Sequence, residues 1–283
     1  MVNDTQKTYW NEIAGPKWLG LGGAMEARLA PVNDALIEAA ALQPGEHVLD
    51  VGCGAGFTSL EAAHKVGPHG HVLGVDISHS MLEAARELTT GENAGQLEFA
   101  LADAQTEYFT PPVNVFLSRF GVMFFDNPVA AFANLRRSAA PGARLAFAAW
   151  APLADNIHWA KPLALVQALL GPGEKGMPRA AGPLAFDDPD YVLAILRDAG
   201  WSHGAVRVQG LHLRGVSLDE EAQIACTMGP SGALLDGKHA SLAQREMAYD
   251  AIRTALPGYA QITPDGVRLA ATIHLITARA MQA

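Results

Sequence analysis

HVLDVGCGAGFTSLEAA, His47 to Ala63, reads as a buried strand, a turn with three glycines and the first turns of a helix. Apolar positions lead into Asp50, and Gly52, Gly54 and Gly56 let the backbone turn sharply and approach a ligand closely. Thr58 or Ser59 is placed to cap the helix that follows. The spacing narrows the ligand. A dinucleotide fingerprint, G-x-G-x-x-G, would need its third glycine at Phe57, and a P-loop needs a Gly-Lys-Ser/Thr end that this stretch lacks. Asp50, just before the glycines, repels a phosphate and attracts a ligand that presents an ammonium group.

Downstream, HVLGVDIS (His71 to Ser78) reads as a second strand ending in Asp76, and LEFALADAQ (Leu97 to Gln105) as a third followed by Asp103 and Ala104. SRFGVMFF (Ser118 to Phe125) and AFANLRRSAAPGARLAFAAW (Ala131 to Trp150) supply the end of a fourth strand, a helix, a Pro-Gly turn and a fifth strand. Together with D-x-G-x-G-x-G, this order and separation resembles the class I S-adenosylmethionine-dependent methyltransferases, in the ubiquinone/menaquinone-type small-molecule branch. The resemblance covers most of the chain. It implies that S-adenosylmethionine is the cofactor, with Asp50, Gly52 and Gly54 around it. Asp76 takes the ribose hydroxyls, Ile77 packs on the adenine face, Asp103 and Ala104 meet the adenine, and the Ser118 carbonyl faces the methionine ammonium. One position departs from the pattern: strand four usually opens on an acid, and here Val113-Asn114 stand instead.

The chain has 283 residues, of which 49% are hydrophobic and 17% charged. That length suits one α/β core with insertions. The low charged fraction mildly favours self-association into a homo-oligomer, or a covered pocket. A formal net charge of −9 and no basic run argue against nucleic acid or an anionic membrane as partner, leaving a small-molecule substrate. The polar start MVNDTQKTYWNE is no secretory signal, and no window reaches the ~20 apolar residues of a membrane span, so a cytoplasmic protein is expected. Cys53 and Cys226 are too few for a disulfide framework. His69-x-His71 lacks a third ligand nearby, and no metal is expected.

The fold class expected is α/β: a Rossmann-like, seven-stranded, mostly parallel sheet with helices on both faces. Residues 1–43 form an N-terminal helical cap, with an amphipathic helix at Pro31–Ala41. Residues 44–283 form the core, carrying helical lid insertions at about 151–186 and 215–265, after strands five and six. The first insertion holds a helix near Ile157–Leu169 and a segment, Gly171–Pro183, expected to be mobile. The final strand is expected at Gly266 to Ala280.

Ligands in open α/β sheets bind beyond the carboxyl ends of the strands, so Gly52, Gly54, Asp76, Asp103 and Ser118 converge on one crevice. For Asp76 and Asp103 the alternatives are a helix cap and an ordinary turn aspartate. His64, His69 and His71 fall at the opposite edge. His158, beside Trp159 in the first insertion, is either a catalytic base or a surface histidine. Arg119 either meets a substrate carboxylate or pairs with an N-terminal acid. Phe120, Met123 and Trp159 line an acceptor pocket or pack the turn and helix around them. Trp10 closes over the cofactor and Trp18 over the substrate, unless both are cap packing. Methyl transfer from a sulfonium is a direct displacement that needs alignment and dehydration, with a base only for a protonated acceptor. The expected activity is methyl transfer to a small, partly apolar metabolite. Open alternatives are another reaction of the same cofactor, such as aminocarboxypropyl transfer or cyclisation releasing methylthioadenosine, and cofactor binding without catalysis.

Overall fold

The computed structural model describes residues 3–281 apart from 90, 92, 94 and 175–178; part of the Gly171–Pro183 segment therefore lies outside the described residues. The N-terminal region is helical: α1 (Asp4–Thr8), a π-helical stretch (Tyr9–Ala14), α2 (Gly15–Gly20) and α3 (Gly23–Ala40). The sequence places the start of the last helix at Pro31, where a missing N–H costs nothing. Instead α3 runs through Pro31, beginning about two turns earlier. Burial of Met25 and Leu29, and ion pairs from Glu26 and Arg28 to the body of the protein, hold those turns in place.

Alternating strands and helices follow: β1 (His47–Val51), α4 (Phe57–Val66), β2 (His71–Asp76), α5 (His79–Arg86), β3 (Leu97–Leu101), β4 (Val113–Arg119), α6 (Pro128–Arg137) and β5 (Ala139–Trp150). β1 pairs in parallel with β2 and β4, β2 with β3, and β4 with β5. Registers such as Asp50↔Gly74 and Asp50↔Leu117 align the carboxyl ends of the strands along one edge. β5 begins before the Pro-Gly turn expected to precede it, and a register shift between Val113 and Val115 accommodates the extra residues. Asn114, where an acid was expected, accepts the backbone N–H of His47 at 2.9 Å and ties β1 to β4.

The second half comprises α7 (Ile157–Leu170), α8 (Pro189–Asp198), β6 (Trp201–Gly215), α9 (Leu218–Thr227), α10 (Gly229–Gly237), α11 (Leu242–Ala255), β7 (Ala260–Thr263) and β8 (Gly266–Ala280). The sheet order is β3-β2-β1-β4-β5-β8-β6, with the short β7 added on β8 as an eighth strand. β8 is antiparallel to both its long neighbours. Its pairing with β5 stops at Ile273↔Trp150, while its pairing with β6 continues to Val267↔Gly215. The first part of β8, flanked by β6 and β7, thus projects beyond the carboxyl edge of the parallel strands. α7 packs on that projection and on α10 and α11. Two insertions separated in sequence are therefore one wall above the sheet edge. Among the described residues no helix is long and apolar enough to cross a membrane.

Arg144 on β5 secures the C-terminal end of α3. It donates to the Ala40 and Ala41 carbonyls, both at 3.1 Å, and forks onto Glu46 at 2.9 and 2.7 Å. The helix end leaves carbonyls without intrahelical donors, and a planar guanidinium satisfies two while holding a carboxylate. Arg144→Met is expected to lower stability by about 1–3 kcal/mol in urea unfolding. An unchanged midpoint would mean that apolar packing alone holds α3.

Candidate active site

The turn after β1 is held from three sides. The N–H groups of Gly52 and Cys53 both donate to the Val75 carbonyl, at 2.8 and 3.0 Å. A Cβ on Gly52, whose φ is +66°, would lie 2.7 Å from the Gly121 Cα, so the turns after β1 and β4 touch backbone to backbone. Ser118 ties the same place together: its hydroxyl donates to the Val51 carbonyl at 2.7 Å and accepts the Gly121 and Val122 N–H groups, both at 3.1 Å. Ser118 is fully buried, and its hydroxyl supports the turn. The capping expected of Thr58 or Ser59 is also absent. Gly56 is the N-cap of α4, and Ser59 donates its hydroxyl to Asp50 Oδ2 at 2.6 Å.

Three carboxylates face the cavity at the strand ends. Asp50 is completely buried, and its Oδ1 has no hydrogen-bond partner among the described residues. Burial lifts its carboxyl to about 6 against the opposing pull of Ser59 and Arg119. Asp76 accepts the Gly54 N–H on Oδ2 and the Ser78 N–H on Oδ1, both at 2.9 Å. A carboxylate has about four acceptor positions, so each oxygen retains capacity for a further donor. Burial raises the Asp76 carboxyl, and the backbone N–H groups oppose the rise. Asp103 is engaged by the N-terminal region: Asn3 donates to Oδ1 at 2.8 Å, and the Lys7 ammonium lies 3.2 Å from Oδ2. Asn11 adds bonds to the Ile77 carbonyl and the His79 N–H, at 3.0 and 2.9 Å. The N-terminal helical region thus contacts this edge of the sheet.

One cavity of about 490 Å³ runs from these acids to the wall above, within the ~300–1,000 Å³ of small-molecule sites. Trp10, Asp50, Gly52, Gly54, Asp76, Ile77, Asp103 and Ala104 line it on one side. Trp18, Arg119, Phe120, Met123, His158 and Trp159 line the remainder. Phe120, with φ +67°, stacks on Trp150 at 4.3 Å and 6° between planes, and Trp159 lies 4.6 Å from Trp150. A non-glycine residue in that backbone region is strained and is held by its surroundings.

Arg119 pairs with Glu26 of α3 at 2.5 Å, both side chains 9% exposed, which is the ion-pair alternative for this residue. His158 is 4% exposed rather than on the surface. Its Nδ1 lies 3.3 Å from the Ala270 carbonyl, and its buried Nε2 has no partner among the described residues. A carbonyl only accepts, so Nδ1 carries the proton and Nε2 offers a lone pair. Burial, helped by the Arg28 charge, depresses the ring to about 3 and keeps it neutral. Arg28, Glu221 and Trp150 were not singled out in the sequence. Nothing local marks them; Arg28 and Glu221 meet only because α3 and α9 converge, and Trp150 meets Phe120, His158 and Trp159 at the end of β5. Among the described residues no group of His, Cys, Asp or Glu could hold a metal ion.

A family model described as a methyltransferase domain matches residues 42–167. Nocamycin O-methyltransferase of Saccharothrix syringae is 32% identical over 194 residues, covering 64% of this chain and 67% of that protein. Arsenite methyltransferase of Halobacterium salinarum is 38% identical over 123 residues, 42% of this chain and 32% of that protein. The chain thus spans about a third of the latter's length. A solved S-adenosylmethionine-dependent methyltransferase from Aquifex aeolicus shares the fold, with a TM-score of 0.51 and 18% identity over 95% of this chain and all of that one. The chain belongs to the S-adenosylmethionine-dependent methyltransferases. The acid-lined half of its cavity suits that cofactor, whose sulfonium and ammonium are positive. The partnerless Asp50 oxygen and the close-packed glycine turn fit it as well.

Two outcomes test this half of the site. Asp76→Ala is expected to weaken cofactor binding at least ~10-fold, about 1.4 kcal/mol, by calorimetry; unchanged affinity would remove the ribose role. The second concerns pH. With its carboxyl raised from ~3.9 when unfolded to about 6, Asp50 binds a proton more readily in the folded protein. Its contribution to stability is therefore present below the unfolded value and lost as pH rises through the folded one. A cationic ligand favours the ionised form. Cofactor affinity should fall as pH drops through about 6, and Asp50→Asn should flatten the dependence; an equally steep profile in that variant would assign the titration elsewhere.

Proposed function

We propose that this protein transfers a methyl group from S-adenosylmethionine to a small, partly apolar acceptor by direct displacement. The observation that carries the reading is a single cavity with two unlike halves, one of glycine backbone and carboxylates, the other of stacked aromatic rings. The bound cofactor supplies an activated methyl carbon on a positive sulfur. The chain's own residues align and dehydrate. The Gly52 turn and Asp76 hold the donor side, with Asp50 offering negative charge. Phe120, Trp150 and Trp159 present flat apolar surface to the acceptor, and Met123 adds to the apolar lining. Excluding water and fixing the line of approach contributes ~7–11 kcal/mol by the effective-molarity argument.

An oxygen acceptor is favoured because the Saccharothrix relative is named an O-methyltransferase. Nε2 of His158 is a buried lone pair without a donor, which a hydroxyl on the acceptor satisfies. His158 then orients the acceptor through a hydrogen bond, and its low basicity makes it a weak proton acceptor.

Incubation with methyl-labelled S-adenosylmethionine and a pool of hydroxylated small molecules should yield a labelled product and adenosylhomocysteine by mass spectrometry. Methylthioadenosine instead would mean attack at a different carbon, and binding without turnover would mean a non-catalytic role. His158→Ala is expected to lower turnover at least ~10-fold, about 1.4 kcal/mol, with cofactor affinity unchanged. Equal turnover would remove His158 from the reaction.

A further inference from the structure

Arg28 brings a guanidinium into the aromatic half of the cavity. Its side chain is 7% exposed and paired through Nη1 with Glu221 Oε2, whose own side chain is 1% exposed. The backbone makes room for this pair: a Cβ at Gly215 would sit 2.2 Å from Glu221 Oε1. Among the described residues Nη1 is the only atom of the Arg28 side chain with a hydrogen-bond partner. The edge formed by Nε and Nη2 retains its donors. Replacing such a buried pair by apolar side chains of similar volume is often neutral or stabilising. The pair with Glu221, which orients α3, uses only Nη1; the remaining planar edge of the fork is suited to recognition of a planar anion.

His158 lines the same cavity, and its buried Nε2 is a lone pair with no partner among the described residues. Phe120 and Trp150, stacked nearly parallel, favour a flat body. A complementary ligand has a conjugated ring, an ionised oxygen for the arginine and an adjacent hydroxyl for the histidine. We infer that the acceptor is a flat conjugated acid bound as its anion, such as an ortho-hydroxy aromatic carboxylate, with Arg28 as the residue that selects it. This rests on the methyl-transfer reading above.

Proton balance favours an anion. A histidine held neutral to about pH 3 is a poor acceptor for the proton of a phenol, whose ordinary pKa is ~10. An acid ionised at neutral pH releases no proton at the enzyme. Its oxygen forms the bond to the methyl carbon, the carbon–sulfur bond breaks, and that electron pair remains on sulfur as a neutral thioether.

The test is calorimetry on protein loaded with adenosylhomocysteine, with 3-hydroxy-2-naphthoate, its methyl ester and naphthylmethylamine as probes. The acid should bind at least ~10-fold more tightly than the ester or the amine, about 1.4 kcal/mol. Arg28→Met combined with Glu221→Met should abolish that preference while adenosylhomocysteine still binds. Glu221→Gln, which leaves Arg28 without its counter-ion, should increase the preference, a change that damage to the fold would not produce. No measurable binding of the acid, ester or amine binding as tight as the acid's, or an undiminished preference in a double variant that still binds adenosylhomocysteine overturns the inference. So does an unchanged or reduced preference in Glu221→Gln. Failure of the unmodified protein to bind adenosylhomocysteine would overturn the methyl-transfer reading instead.

Discussion

The turn after β1 and the turn after β4 meet with no side chain between them, and the site is organised around that contact. Gly52 and Gly121 approach so closely that a Cβ on either would fall within 2.8 Å of the other's Cα. Ser118 reinforces the contact by bonding the Val51 carbonyl and both N–H groups of the following turn. Two parallel strands are thereby brought to the same level at their carboxyl ends, where the peptide groups of the turns and the acids of β1 and β2 face one volume. A methyl group at Gly52 would separate the turns and would also strain a backbone already at positive φ.

Above that edge the protein builds its second half by extension of the sheet. β8 continues past the end of β5, carrying β6 and β7 with it, and α7 and α9 to α11 close around the projection. The cap is joined to both parts by buried ion pairs, Glu26 to Arg119 and Arg28 to Glu221. Such pairs contribute little net stability, because desolvation offsets most of their attraction. Their geometric effect is larger. Each fixes the rotation of α3 about its axis, which determines that Met25 and Leu29 face the cavity.

The residues legible in the sequence were those whose type is demanded by local backbone geometry. Three glycines after a strand need positive φ, and an acid at the end of a strand faces the crevice whatever lies elsewhere. Residues whose role depends on what packs opposite them were less legible. Arg119 was identified as chemically able to meet a carboxylate, but only the position of α3 selects Glu26 as its partner. Ser59 looked like a helix cap, and the proximity of Asp50 redirected its hydroxyl. His158 was marked by its neighbours in the chain, yet its neutrality comes from burial and from Arg28, which lies 130 positions earlier.

By itself the sequence determined the α/β alternation, the glycine corner and the acids that follow the first three strands, hence the family of cofactor. Those features rest on periodicity and on conformations available to glycine, and both act over a few residues. Tertiary structure decided the aromatic half of the cavity: the stack of Phe120 on Trp150, the Arg28–Glu221 pair and the buried lone pair of His158. Each of these needs contacts between segments far apart in the chain, and burial then sets its charge state. Short-range geometry specifies the glycine and carboxylate half of the cavity; long-range packing specifies its aromatic half.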